Sequence, residues 1–523
     1  MPARSQEASE GLHTEAGFRS APDVFPVGAQ NPPGTASPGH YTFGNGLYEG
    51  FVFINEKMLN PSFFSYEKMY NVLFFRMKKC NIQIMIHDGD VKMERLAYRE
   101  LIAWKHKDDR KPLILNGARQ VGKTWLLKEF GSREYENLAY INCDEVAAMK
   151  DAFTDFSPDR LLRVFSAISG TNIKPGVTLI VLDEIQEAPL GLTALKYFYE
   201  KAPEFHIAVA GSLLGIGLHE GTGFPVGKVD EIKLYPLSFK EFLMALDKTA
   251  LVQQIESCRW TEVSSLSVIY TDLLRQYYYT GGMPEVVRSY VEEHDIFRVR
   301  NIQKQILADY RRDFSKHVPA DILPKVNMIW DAIPAQLARE NKKFMYGAVR
   351  KGGRAKEFEN AIQWLVDAGL VYKVLRVAKA EKPLKFYETP EAFKLFALDL
   401  GLLGALSDVD ARDVLINNYA FTEYKGAFTE QYVLQELEAL GERVYYHSKD
   451  RSELEIDFII QKYHVYPIEV KAAENLKSKS LRTLYNDNSS LKPVRFSMAD
   501  YREQDWMVNV PLYLVSEWIA NAE

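Results

Sequence analysis

Five hundred and twenty-three residues is enough chain for roughly three domains, and 47% hydrophobic with 26% charged residues is the composition of a folded globular protein. Sixty-four Lys plus Arg against 70 Asp plus Glu give a net charge of -6, which excludes the strong positive field of a nucleic-acid coat and leaves any such binding to local patches. The three cysteines, Cys80, Cys143 and Cys258, are odd in number and far apart, which argues against a disulfide framework or structural zinc and fits a reducing compartment.

No run approaches the ~18 consecutive apolar residues of a membrane span, and the N-terminus lacks a basic region followed by an apolar core. The chain therefore reads as cytoplasmic, with no membrane partner. Residues 1–92 begin with a Gly/Pro-rich stretch without hydrophobic period and read as an N-terminal extension, partly disordered, or as a start assigned too early, with translation beginning at Met85 or Met93. From Met93 the texture changes. PLILNG, NLAYINCD, TLIVLDE and FHIAVAGS are short apolar runs, each followed by a longer segment, the pattern of buried parallel strands in an α/β domain over 93–245.

Gly117-Ala118-Arg119-Gln120-Val121-Gly122-Lys123-Thr124, followed by Trp125, fits GxxxxGK[ST] after a strand and before a helix-compatible WLLKEF. Glycines at 117 and 122 let the backbone turn its N–H groups toward phosphate oxygens. Lys123 adds a point charge for the β and γ phosphates, and the Thr124 hydroxyl suits Mg2+. TLIVLDE then ends an apolar strand at Asp183 and Glu184, the placement of a metal-supporting carboxylate followed by a water-activating one. Ser212, at the end of FHIAVAGS, is placed to hold the attacking water or sense the γ-phosphate, although Gly-Ser after a strand is also plain turn chemistry.

Residues 246–317 read as a helical lid with a turn at Gly281 and Gly282. Over 318–406, a helix at KVNMIWDAIPAQLARE, a basic segment, a helix at KEFENAIQWLVDAG and an extended pair, GLVYKVLRV with LKFYETP, suggest a winged-helix module. Residues 407–523 hold a helix at GAFTEQYVLQELEAL and strands VYYHSK, LEIDFII and VYPIEVKA, a small α/β unit. Basic residues gather twice, at Lys342, Lys343, Arg350, Lys351, Arg354 and Lys356, and at Lys477, Lys479, Arg482, Lys492 and Arg495. Both groups are candidates for phosphate-backbone contact, and both also suit a solvated surface.

GARQVGKTWLLKEFG, INCDE, LIVLDEIQEAP, AGSLLG and YPLSFKEFL resemble a prokaryotic family of AAA-type P-loop ATPases whose ATPase domain is followed by a C-terminal domain of unknown function with a nuclease-like core. The likeness runs from about Met93 to the C-terminus. It implies ATP as ligand, ATP hydrolysis with Mg2+ as activity, and a P-loop NTPase sheet with lid. Where the family carries an arginine ahead of the DEIKLYPLSF-like stretch, this chain has Lys228, which lacks the forked grip of an arginine finger.

Glu455-Ile-Asp457 and Pro467-Ile-Glu469-Val-Lys471 resemble the core of PD-(D/E)XK nucleases, which implies a restriction-endonuclease-like C-terminal domain. Strand residues two apart share a face, so Glu469 and Lys471 project together, and a hairpin through Lys462 to His464 brings Asp457 beside them. Such carboxylates suit Mg2+, with Lys471 orienting water, and Glu430 fits the upstream carboxylate of that resemblance. Alternating Glu-Val-Lys also describes the polar face of an ordinary strand. Two functions stay open: an ATPase whose nucleotide state controls a nuclease-like, DNA-contacting domain, or a nucleotide-switched module whose silent nuclease fold binds a partner protein. Homo-oligomerisation is compatible with either, and the sequence does not fix the oligomeric state.

Overall fold

Strands β1 (Leu113–Asn116), β2 (Asn137–Asn142), β3 (Thr178–Asp183) and β4 (His206–Ala210) form where the four apolar runs stand in the sequence. The structure is a computed structural model that describes residues 93–523 apart from Pro189, 213–223, 340–341, 416–421, 450–453 and 473–476. The expectations for residues 1–92 lie outside the described residues.

A fifth strand, β5 (Asp230–Lys233), pairs with β1 and completes a sheet of order β2-β3-β4-β1-β5 in which every pairing is parallel. Alternation splits the sheet's side chains between two cores. Leu179 and Val181 of β3 face one core, with Leu126 and Phe130 of α2 (Lys123–Glu134) and Leu101 of α1 (Ala97–Lys105). Ile180 and Leu182 face the other, with Phe165 of α3 (Pro158–Ser169) and Phe198 of α4 (Gly191–Lys201). Covered on both faces, β3 and β4 are buried at every position, and each such aliphatic side chain is worth ~1.5–3 kcal/mol of transfer free energy. The chain leaves β1 and passes β4 and β3 before it re-enters at β2. The loop after β1 therefore stands at the topological switch point, where α/β sheets bind ligands.

After β5 come α5 (Phe239–Ala245) and, within the stretch expected to be helical, α6 (Ser267–Thr280), α7 (Pro284–Glu293) and α8 (Ile296–His317). A capping box starts α5: the Ser238 hydroxyl accepts from Glu241 N–H, and the Glu241 carboxylate accepts from Ser238 N–H. Two helices follow, α9 (Leu323–Leu337) and α10 (Ala355–Asp367), and then a hairpin of β6 (Val371–Val377) and β7 (Glu388–Ala397). LKFY, expected as part of an extended strand, is a 3-10 turn, and the strand begins one residue later at Glu388. The register breaks between Arg376 opposite Thr389 and Leu375 opposite Phe393, so Pro390 sits in the irregularity of an edge strand, where a missing N–H costs nothing.

After α11 (Leu400–Leu406) and α12 (Thr422–Ala439) come β8 (Tyr445–Ser448), β9 (Glu455–Gln461), β10 (Val465–Val470), α13 (Lys479–Asp487), β11 (Val494–Ser497), β12 (Arg502–Glu503), β13 (Val508–Pro511) and α14 (Val515–Ala520). Their sheet has the order β12-β13-β11-β10-β9-β8-β6-β7 and mixes parallel with antiparallel pairs. Parallel pairing of β6 with β8 makes the hairpin and the C-terminal strands one sheet.

Helix α12 is buried at every position from Ala427 to Leu437, so its polar side chains must find partners inside. Gln431 exchanges two hydrogen bonds with the backbone of Ala397, and Gln435 accepts from Leu400 N–H while donating to the Tyr277 hydroxyl of α6. Glu436 accepts from Phe239 N–H, the first residue of α5, at 2.8 Å. These bonds fix α12 against α5, α6 and the hairpin together.

Candidate functional site

Gly117 follows β1 with φ of 148°, and a Cβ built there would lie 2.3 Å from the Leu234 carbonyl oxygen, so only glycine fits. Gly122 has φ of 94° and caps the N-terminus of α2, whose first residue is Lys123. Ala118 and Val121 are buried and hold the loop to the core. The Lys123 ammonium, 7% exposed, donates to the carbonyls of Gly117 at 2.8 Å and Ala118 at 2.7 Å. Burial lowers its pKa to about 8, against the raising influence of Glu184 and Asp183.

The Thr124 hydroxyl donates to Asp183 Oδ2 at 2.6 Å, and the Tyr140 hydroxyl donates to the same oxygen at 2.9 Å. Asp183 is 3% exposed at the end of β3. A carboxylate and a hydroxyl at this separation, beside loop N–H groups, suit Mg2+, which takes one or two protein oxygens and completes its shell with water and phosphate. Glu184 turns into the left-handed region, φ of 49°, and its Oε2 accepts from the Gln186 amide and from the Ser212 hydroxyl at 3.5 Å. The structure thus brings Lys123, Thr124, Asp183, Glu184 and Ser212 to one side of the sheet. A cavity of about 790 Å³ is lined by Lys123, Thr124, Glu184 and Ser212, and by Trp125, Arg95 and Arg288.

Arg119 and Gln120 also line the cavity, and their side chains reach α8. Arg119 pairs with Asp313, Gln120 donates to Asp309 at 3.1 Å, and the Tyr310 hydroxyl donates to the Arg119 carbonyl at 2.9 Å. Arg95 pins the loop from the other side, donating to Val121 O at 2.8 Å, to Tyr235 O at 2.6 Å and to Glu241 at 3.1 Å. Arg95, Asp309 and Asp313 carried no motif in the sequence, whereas Ser238-x-x-Glu241 is a readable capping box. Lys228 lies 3.2 Å from Glu200 and over the Tyr199 ring, so it is engaged with α4.

In the second sheet, β9 and β10 run antiparallel around Lys462 to His464, and Asp457 accepts from Val470 N–H at 2.8 Å. Lys471 pairs with Glu469 at 3.0 Å, Lys342 with Glu430, and the fully buried Lys394 of β7 lies 2.6 Å from Glu455. Glu430 and Glu469 are each buried, and the Oε2 of each has no hydrogen-bond partner among the described residues. Burial, and then the charge of Glu430, push the Asp457 pKa up. Among the described residues, no three His, Cys, Asp or Glu side chains converge to hold a metal ion. Two residues leave the expected phosphate-contacting groups: Lys342 is bound to Glu430, and Arg495 is 2% exposed with Asn509 and Ser478 as partners.

With this geometry, comparison with known proteins places the first sheet. Residues 109–243 match the AAA domain family. This stretch of the chain is similar to AAA domains. Beyond it, residues 271–413 match a domain of unknown function (DUF8612) and residues 425–514 another (DUF4143). No curated protein matches the chain. Among solved structures, the Walker-type ATPase PABY2304 of Pyrococcus abyssi is 15% identical, covering 60% of this chain and 96% of that one with a TM-score of 0.39. The Aeropyrum pernix ORC1 protein in complex with DNA is 14% identical, covering 62% and 95% with a TM-score of 0.29. The Thermotoga maritima RuvB Holliday junction branch migration motor is 15% identical, covering 59% and 90% with a TM-score of 0.24. No helix among the described residues is long and apolar enough to cross a membrane.

Proposed function

We propose that the AAA-type domain binds and hydrolyses ATP and that its nucleotide state repositions a C-terminal, nuclease-like region on DNA. The observation that carries the reading is the Thr124–Asp183 contact at 2.6 Å beside Glu184 and Ser212, directly below the phosphate loop. The N–H groups of residues 117–124 and the Lys123 ammonium bind the phosphates, and a divalent ion held by Thr124 and Asp183 supplies further charge neutralisation. Glu184 accepts the proton of the attacking water while Ser212 fixes the carboxylate's orientation. Trp125, 43% exposed, lies beside the cavity.

The buried contacts of α12 with α5, α6 and the hairpin support the coupling: a shift of the lid moves the helix that carries Glu430. In this reading residues 318–406 are a winged-helix-like module, 407–523 a PD-(D/E)XK-like one, and Glu430, Asp457, Glu469 and Lys471 form its phosphodiester-cleaving site. The lysine on each of three carboxylates favours a second reading, a switch whose nuclease fold is silent. ATP hydrolysis, and cleavage of single-stranded and duplex DNA with Mg2+ or Mn2+, with and without ATP and beside Asp457→Ala, test both. Cleavage lost in the variant supports the first reading. Hydrolysis without cleavage supports the second, and no hydrolysis overturns the proposal.

A further inference from the structure

Three lysines from three parts of the chain enter the carboxylate cluster of the second sheet. Lys471 belongs to the strand motif itself and meets Glu469. Lys394, on β7, has no exposed side-chain surface and meets Glu455. Lys342 lies outside the motif, between α9 and the short helix Tyr346–Val349, and its ammonium meets Glu430 with only 13% of its side chain exposed. Each ammonium takes one carboxylate, and Asp457 is left with a backbone N–H as its hydrogen-bond donor. Among the described residues, the second oxygens of Glu430 and Glu469 are buried without a donor, although both residues are more than nine-tenths buried. An unpaired carboxylate oxygen in such surroundings is costly, and a further positive charge beside it would relieve that cost.

A divalent ion would bind those oxygens directly, at ~2.0–2.6 Å. Glu430 cannot hold both at once without bringing a dication and an ammonium into contact at low dielectric. Lys342 is also held from behind. Two residues on, Phe344 donates its N–H to the Phe393 carbonyl at 2.8 Å and stacks on the Phe393 ring, on the same strand as Lys394. Met345 exchanges hydrogen bonds with Gln336 of α9 at 3.0 and 3.1 Å. Lys342 therefore moves with α9 and β7, and α9 packs on α8, the lid helix that holds Arg119 and Gln120 of the phosphate loop.

We propose that Lys342 is an internal counter-ion that occupies the cation place beside Glu430 and Asp457, so that a divalent ion enters the carboxylate site only when the segment bearing Lys342 withdraws. The proposal rests on reading the cluster as a cation-binding, nuclease-like site. It separates two conditions of one fold: closed by a lysine in the arrangement described here, and open to Mg2+ or Mn2+ after the lid moves.

The test is Mn2+ binding to the nucleotide-free full chain, followed by electron paramagnetic resonance of the free ion, in an Asp183→Asn background that silences the phosphate-loop metal position. Lys342→Met, which keeps the apolar stem, is expected to bind one Mn2+ at least tenfold more tightly than the parent. Lys342→Arg, which keeps the cation, is expected to behave as the parent. Adding Asp457→Asn to Lys342→Met should abolish the gain, and circular dichroism melting verifies that each variant is folded. Equal tight binding by parent and Lys342→Met, lost in Asp457→Asn, leaves the cation site standing and overturns the counter-ion role. Binding by neither overturns the cation-site reading, and the counter-ion role with it.

Discussion

Replacing Lys123 with alanine separates what the lysine does for the loop from what it does for the nucleotide. In the free protein its ammonium makes two charge-assisted bonds, to Gly117 O and Ala118 O, each worth ~1.5–3 kcal/mol. Holding an ammonium at 7% exposure costs several kcal/mol in the opposite direction, which is why burial brings its pKa down to about 8. The two effects oppose each other, so Lys123→Ala is expected to melt within a few degrees of the parent without nucleotide. No such cancellation applies to the ligand. At a concentration ~100 times Kd, ATP adds about 2.7 kcal/mol of stability, which for a domain of this size is a rise of about 5 to 10 °C in Tm. Scanning calorimetry with ATP and Mg2+ should show that rise in the parent and its loss in the variant. Because the free ammonium loses its proton near pH 8, the parent's rise should also shrink as pH passes from 7.5 to 9.5. A variant that keeps the full rise refutes the assignment of the loop, and a rise independent of pH refutes the role of the charge.

Glu184→Gln is expected to keep the ATP-linked rise in Tm while steady-state hydrolysis falls ~10²–10⁴-fold, because the amide cannot take the proton of the attacking water. An unchanged turnover rate would remove Glu184 from the mechanism. Asp313→Asn weakens the hold of α8 on Arg119 and takes a negative charge from beside the phosphate loop, so calorimetric titration should show ATP binding several-fold more tightly; weaker binding would mean that the contact supports the bound state. Burial raises the Glu436 pKa from 4.5 to about 7, so the folded chain holds a proton there that the unfolded chain has released. That contribution is fully present below pH 4.5 and is lost as pH rises through 7, so Glu436→Gln should flatten the fall in Tm between pH 5 and 8, and an unaltered slope would assign the fall to other groups.

The phosphate loop was readable because phosphate chemistry dictates residue types at fixed local spacing, and β1, β3 and β4 were readable because strands buried on both faces are written as unbroken apolar runs. β5 escaped notice for the opposite reason: Asp230-Glu-Ile-Lys233 is an edge strand that buries only Ile232. β11 and β13 are four residues each and owe their conformation to neighbours rather than to their own pattern. The hydrogen bond of Arg95 with Glu241 and the ion pair of Arg119 with Asp313 span 146 and 194 residues, and no local period records such a pairing. Lys342 and Arg495 misled for a related reason. A cluster of basic letters describes a surface only if the chain leaves it outside, and here tertiary structure folds one onto Glu430 and the other between β10 and β13.

A hydrogen-bonded route joins the two sites and makes their coupling testable. Val121 O in the phosphate loop accepts from Arg95, which also donates to Glu241. Glu241 closes the capping box of α5, and Phe239 N–H at the start of that helix donates to Glu436 of α12. About one and two-thirds turns earlier on α12 stands Glu430. Spatial continuity alone does not show that free energy travels along it. Arg95→Lys keeps a positive charge but cannot reach three acceptors from one planar fork, so it loosens the first link without emptying the site of charge. Hydrogen exchange with and without ATP is the appropriate readout. In the parent, ATP should alter protection in α12, and in Arg95→Lys, measured at saturating ATP, that change should shrink while the change in α2 persists. If α12 responds fully in the variant, the lid contacts of Gln435 with Tyr277, rather than the Arg95 route, carry the signal.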